Sequence, residues 1–198
     1  MKYNSCIALI LLGSISPLMS QVSIGLSGGG GIDHNTSLRM ALPLEYTFSP
    51  SFSIQTAFNF TQQHNQQLIN RLRSDQAYRQ VTISYVGIPV LAKFRLNFRS
   101  MSLTAASGPQ LSYGLHFVAV SETGHVEELE FENLNINRFD IAMHMGVGVE
   151  REIRNQAKLF IHYFHQIGVN DIDFNKNSDI YNESRILTIG ILFPLHQR

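Results

Sequence analysis

Residues 84–97, Ser-Tyr-Val-Gly-Ile-Pro-Val-Leu-Ala-Lys-Phe-Arg-Leu-Asn, decide how the rest of the chain is read. From Val86 onward, alternate positions are Val86, Ile88, Val90, Ala92, Phe94 and Leu96, all apolar. The intervening set is Tyr85, Gly87, Pro89, Leu91, Lys93, Arg95 and Asn97, which carries two cations. A period of two is the signature of a strand with one apolar face and one face that tolerates charge. A bilayer is crossed by a tilted strand of roughly 9–11 residues, and this alternation is long enough to do so.

The pattern recurs in both directions. On one face of 38–48 lie Leu38, Met40, Leu42, Leu44, Tyr46 and Phe48, opposite Arg39, Ala41, Pro43, Glu45 and Thr47. After the turn Ser49-Pro50-Ser51, residues 52–61 alternate again. Residues 101–120 set Met101, Leu103, Ala105, Leu111, Tyr113, Leu115 and Phe117 against Ser102, Thr104, Gln110, Ser112 and His116. The stretches 22–32, 139–149, 159–169 and 187–193 complete the series. The first of these ends in four glycines, Gly28 to Gly31, without the Gly-Lys-Ser/Thr of a phosphate loop; in a barrel wall they permit curvature and close approach.

Connections follow a parity rule. They are short after Phe48, Asn97 and Glu150, and long and polar over 62–80, 121–137 and 170–183. Outer-membrane barrels have tight periplasmic turns and long outer loops. The aromatics Tyr46, Phe48, Phe52, Phe94, Phe98 and Phe193 fall at the short-turn end, and Phe58, Phe60, Phe117 and Phe139 at the other, as two interfacial belts would. The expected fold is therefore all-β: an eight-stranded, antiparallel, up-and-down transmembrane barrel in the cell outer membrane. Pro43, Pro89 and Pro109 each remove a ladder donor, for which bulges are the ordinary remedy, and His165 falls in phase with lipid-facing Ile161 and Ile167.

Composition fits this reading. The chain has 198 residues, 44% hydrophobic and 15% charged, with 15 basic and 15 acidic side chains. A neutral chain lacks the basic face that nucleic acid requires. Lys2, the apolar run Cys6 to Ile15 and small Ser20 read as a secretory leader, so residues 1–20 are expected to be a cleaved signal peptide and 21–198 the barrel domain. Cleavage would remove Cys6, the sole cysteine, and with it any thiol chemistry. Beyond the leader no run approaches the ~18 apolar residues of a helical anchor.

Tyr85 to Leu96, "YVGIPVLAKFRL", resembles the signature strand of the PorT-like outer-membrane β-barrel family of Gram-negative bacteria. Gly108-Pro109-Gln110-Leu111-Ser112-Tyr113, Gly146-Val147-Gly148-Val149-Glu150 and Ile186-Leu187-Thr188-Ile189-Gly190 resemble its later strands. The resemblance implies an eight-stranded barrel; some relatives assist protein secretion. His162-Tyr163 stands where the family often has Arg-Tyr, and Pro-Leu-His-Gln-Arg trails Phe193, the expected terminal aromatic.

Candidate chemistry is sparse. Among eight histidines no metal-ligand spacing occurs, so neither a metal nor a cofactor is expected. Asp33, His34, Ser37, Asp75, His125 and Asp140 fall near the outer rim without a nucleophile motif to order them. Glu45, Lys93, Arg95 and Glu150 share the inner face and the lower half of the barrel, and charges in so narrow an interior must pair. They are the expected structural charge cluster of the lumen. The function expected is non-enzymatic: a structural or interaction role at the envelope that assists secretion or envelope assembly. Its partners would be outer-membrane lipid and envelope or secretion proteins met through loops 62–80 and 121–137. A rim-located lipid-modifying enzyme and a narrow channel are the alternatives.

Overall fold

The computed structural model describes residues 21–32, 37–64, 78–131, 136–153, 156–170 and 182–195. The leader expected at 1–20 lies outside them. The described strands are β1 (Gln21–Gly31), β2 (Ser37–Ser49), β3 (Phe52–His64), β4 (Tyr78–Phe98), β5 (Met101–Ser121), β6 (Val126–Leu129), β7 (Phe139–Glu152), β8 (Lys158–Gly168) and β9 (Glu183–Pro194). All pairings are antiparallel, in the order β4-β3-β2-β1-β9-β8-β7-β5, and a β4–β5 pairing closes the ring. Eight strands thus form an up-and-down barrel, and β6 is a ninth strand attached to β5 outside it.

Closure puts every wall strand between two neighbours, so the backbone polar groups are satisfied without water, as a lipid environment demands. The alternation then sorts side chains by solvent. Leu42, Leu44, Ile88, Val90, Phe94, Leu96, Leu111, Ile161 and Ile189 point outward, while Arg39, Glu45, Lys93, Arg95, Gln110, His144 and Glu150 point inward and are buried. This is a soluble protein turned inside out. The lower aromatics Tyr46, Phe52, Phe94, Phe98 and Phe193 form an outward belt, with Tyr46, Phe48 and Phe52 in ring-to-ring contact.

Several local expectations are corrected. Strand β4 begins six residues before Ser84, at Tyr78, and β3 runs on to His64, so part of the expected loop 62–80 is sheet. The expected loop 121–137 contains β6, joined to β5 by a tight turn in which Gly124 adopts φ 86°. Phe117 does not belong to the outer belt. Tyr85 pairs with Gly114 but Ser84 pairs with His116, leaving Leu115 unpaired. This one extra residue reverses the faces of the strand beyond it, so Phe117 turns inward at 0% exposure and His116 outward.

The prolines are not absorbed by bulges. The register is the same on both sides of Pro43 in the β1–β2 ladder and of Pro89 in the β3–β4 and β4–β5 ladders; pairing is merely interrupted there. Thr56 Oγ1 donates to the Pro89 carbonyl at 2.8 Å and bridges one interruption. His165 does face outward, with its Nε2 2.9 Å from Glu183 Oε1, and Arg185 lies 3.6 Å from the same oxygen.

Glycines make room for the large inward side chains. A Cβ at Gly146 would lie 2.4 Å from a Phe164 ring carbon, and one at Gly148 would lie 2.0 Å from the His162 ring. Strand β7 therefore has to be bare at both positions, where Phe164 and His162 of β8 fill the lumen.

Candidate functional site

The structure brings Glu45, Lys93, Arg95 and Glu150 together in one layer of the lumen. Glu45 comes from β2, the two cations from β4 and Glu150 from β7, and a barrel this narrow lets all three strands reach one point. Lys93 Nζ lies 2.8 Å from Glu45 Oε2 and also pairs with Glu150 Oε1. Arg95 Nε donates to Glu150 Oε2 at 2.8 Å, and its Nη2 pairs with Glu45 Oε2. Each cation thus touches both carboxylates. No member is more than 3% exposed, so the charges are compensated by one another and not by water.

Sequence reasoning missed the neighbours of this cluster. Gln55 Oε1 accepts a third hydrogen bond from Lys93 at 3.1 Å, and Thr47 Oγ1 donates to Glu45 Oε1 at 3.4 Å. Lys158 Nζ stands 3.9 Å from Glu45 Oε1 and His162 Nε2 stands 3.5 Å from Glu150 Oε1. Lys158 adds a third cation to two carboxylates, so the layer is not charge-balanced as four residues alone suggested. The inward phase of Lys158 and His162 was readable from alternation with Phe160 and Phe164, but strand 159–169 carries polar residues on both faces.

Below the cluster the lumen opens to a cavity of about 310 Å³ at the short-turn end, lined by Arg95, Arg99, Glu150, Glu152, Lys158 and Gln156 among others. Above it the interior is polar and packed. Asn59 Nδ2 donates to Gln110 Oε1 at 3.1 Å, and His144 Nε2 meets Gln166 Oε1 at 3.1 Å. Asn182 Nδ2 donates to Asp140 Oδ2 at 3.0 Å.

The outer end on the β4–β5 side is roofed by a small apolar core. Val81, Ile83 and Tyr85 of β4 and Phe117 and Ala119 of β5 pack with Phe131 and Ile136, which fold back from beyond β6. Gly114 makes this possible, because a Cβ there would lie 2.6 Å from the Phe131 ring. The Tyr78 hydroxyl donates to Glu127 at 3.0 Å; burial and that carboxylate push the phenol above its ordinary value.

Of the rim candidates, only the side chains of Asp140 and His125 are among the described residues. Asp140 is buried in the lumen with Asn182, whereas His125 is exposed in the β5–β6 turn. Asp33, His34, Asp75 and the Ser37 side chain lie outside the described residues. Among the described residues no group of three or more His, Cys, Asp or Glu side chains could hold a metal.

A closed ring of tilted antiparallel strands, apolar outside and charged within, with short turns at one end, defines an outer-membrane β-barrel protein. Residues 17–173 match the family described as outer membrane protein beta-barrel domain, and the chain belongs to that family. Among solved structures it is similar to the Neisserial surface protein A, at 10% identity and a TM-score of 0.51 over 88% of this chain and 96% of that one. It is similar also to the outer membrane enzyme PagL, at 10% identity and a TM-score of 0.50 over 87% and 99% of the two chains. Ail of Yersinia pestis shares 14% identity over 89% and 97% of the two chains, with a TM-score of 0.47. The first two likenesses show the fold alone. No curated protein matches the sequence.

Proposed function

We propose that this outer-membrane barrel is a non-enzymatic interaction protein, closer to the PorT-like branch, whose outward sheet docks envelope or secretion proteins. The observation that carries the reading is the extension of β4 and β5. Each has 21 residues, about twice what a bilayer crossing needs. Strand β7 leaves β5 at Tyr113, and from Phe117 to Val120 the vacated side is taken by β6. Beyond Tyr113 the strands β4, β5 and β6 continue as a sheet, flanked at its base by the end of β3, and among the described residues β6 pairs with β5 alone.

An edge strand offers unpaired N–H and C=O groups to an incoming extended segment. Natural sheets commonly blunt such edges with charge, and this one is acidic: Glu127 and Glu128 lie on β6 itself, flanked by Glu122 and Glu130. Val126 is 62% exposed between them. That combination suits a basic, extended segment of a partner and repels an acidic one. The four-charge layer and its packed surroundings serve as a structural plug in this reading, which argues against conduction.

The test is site-specific photo-crosslinking from Val126 in intact cells, repeated with Glu127→Lys and Glu128→Lys together. A defined envelope partner captured by the parent and lost in the charge-reversed variant supports docking through this edge. Absence of any partner, with altered lipid A acylation in a deletion strain, would replace it by a rim-located enzyme. Steady conductance of the purified protein in planar bilayers would replace it by a channel.

A further inference from the structure

The lipid-facing wall carries a groove near its outer end. On β4 and β5 the outward pairs Val86–Tyr113 and Ile88–Leu111 flank the pair Gly87–Ser112, whose members are buried toward the lumen. Along this stretch runs an open apolar groove of about 160 Å³. Val86 is the shortest outward side chain in it, and rings stand on both sides. Phe58 comes from β3, the neighbour of β4, and Phe139 from β7, the neighbour of β5. Phe139 also braces Tyr113 edge to face, with centroids 5.1 Å apart. A valine set among three rings leaves a trough with ladder backbone for a floor.

The surroundings of the groove say what fills it. Phe58, Ile88, Leu111 and Phe139 are each more than half exposed on the face that meets hydrocarbon in an outer-membrane barrel. Just beyond Val86 the outward set turns polar. Gln62 Nε2 of β3 donates to Ser84 Oγ of β4 at 3.5 Å, and His64 Nδ1 meets Thr82 Oγ1 at 2.7 Å. The groove therefore lies just inside the outer membrane interface, at the end of the wall away from the short turns. Its walls offer dispersion contact and aromatic edges. Its volume is close to that of an apolar cavity of about 150 Å³ that accepts benzene, so it takes roughly six carbons.

We propose that this groove is a binding site for one acyl chain of an outer-leaflet lipid, with the head group level with Gln62, His64 and Thr82. Lipid elsewhere on the wall touches a single convex surface and exchanges freely. A chain laid in the groove touches a floor and two walls, and those added contacts offset the freedom it loses. The apolar side chain of a protein would suit the same walls, but this face is in hydrocarbon whether or not a partner has arrived. The site is separate from the β6 edge and does not depend on docking there.

The chain contains no tryptophan, so one introduced indole reports only its own surroundings. With the full barrel folded in detergent, Phe58→Trp places the reporter in the groove wall. Ile189→Trp places it on lipid-facing β9, across the ring from β4. The probe is a phosphatidylethanolamine brominated along its acyl chains and added to the micelles. A groove that favours the lipid chain about tenfold over detergent is half-filled at a lipid mole fraction of about 0.1. Quenching of Phe58→Trp should saturate early, while that of Ile189→Trp should rise steadily with mole fraction. Val86→Phe fills the trough and, added to Phe58→Trp, should abolish the early saturation. Leu111→Trp replaces the reporter if Phe58→Trp does not fold. Early saturation that Val86→Phe removes supports the site. Matching curves for the two reporters, early saturation that survives Val86→Phe, or no quenching in the groove overturns it.

Discussion

Lys93 Nζ lies 2.8 Å from Glu45 Oε2 with both side chains wholly buried, and the same ammonium pairs with Glu150 across the lumen. One cation therefore joins β2, β4 and β7. Lys93→Met leaves the two carboxylates to Arg95 and the more distant Lys158, at a cost of about 3–5 kcal/mol. Adding Glu45→Gln should restore part of the loss, since fewer charges are then orphaned. Urea midpoints of the parent, both single variants and the double variant measure the coupling; strictly additive losses would refute it.

Gly146 faces Phe164 across a space with no room for a methyl group: its Cβ would come within 2.4 Å of the ring and 2.8 Å of the Tyr163 carbonyl. The ring could turn, but the carbonyl belongs to the barrel wall. Gly146→Ala should cost about 1–3 kcal/mol by overpacking. Unfolding of the purified barrel checks it, and an unchanged midpoint would mean that the wall yields more easily than its ladder implies.

The barrel is legible in the sequence because its two faces meet different solvents. Lipid outside and charge within impose a strict alternation, and any strand that obeys it, such as Val86 to Leu96, can be oriented without knowing its neighbours. Glu45, Lys93, Arg95 and Glu150 can be grouped for the same reason, because a charge in phase with the lumen at a given depth has few places to go. Where the bilayer stops constraining the chain, legibility ends. Phe117 defeats the alternation because one unpaired residue, Leu115, reverses the phase above the membrane, and hydrophobicity alone cannot distinguish a lipid-facing ring from a cap. Strand β6 is hidden because an edge strand rich in glutamate reads as a polar loop.

Arg99 and Gln156 hold left-handed backbone, φ 51° and 60°, at two of the short turns. A Cβ in that region costs roughly 1–2 kcal/mol, while glycine adds unfolded-state entropy that takes back about half of the gain. Arg99→Gly should therefore stabilise the barrel slightly, by up to about 1 kcal/mol. Both side chains also line the short-turn cavity. A gain in the unfolding midpoint would show that these residues are kept at the expense of stability; a loss would show that their contacts outweigh the strain.

Phe131 closes the outer core against Phe117, with ring centroids 5.7 Å apart, and is 2% exposed. Phe131→Ala empties that position, at a cost of about 3–5 kcal/mol to whatever unit depends on it. The barrel below has its own closed ladder, so the damage should stay local. Surface protease on intact cells should then cut the variant faster between Ser121 and Ile136 than the parent, while the folded form continues to migrate ahead of the boiled form on a detergent gel. The short turn at Ser49–Ser51, on the opposite side of the membrane, should be protected in both. Equal cutting at Ser49–Ser51 would overturn the orientation, and loss of the fast-migrating form would show that the outer sheet and the barrel fold as one unit.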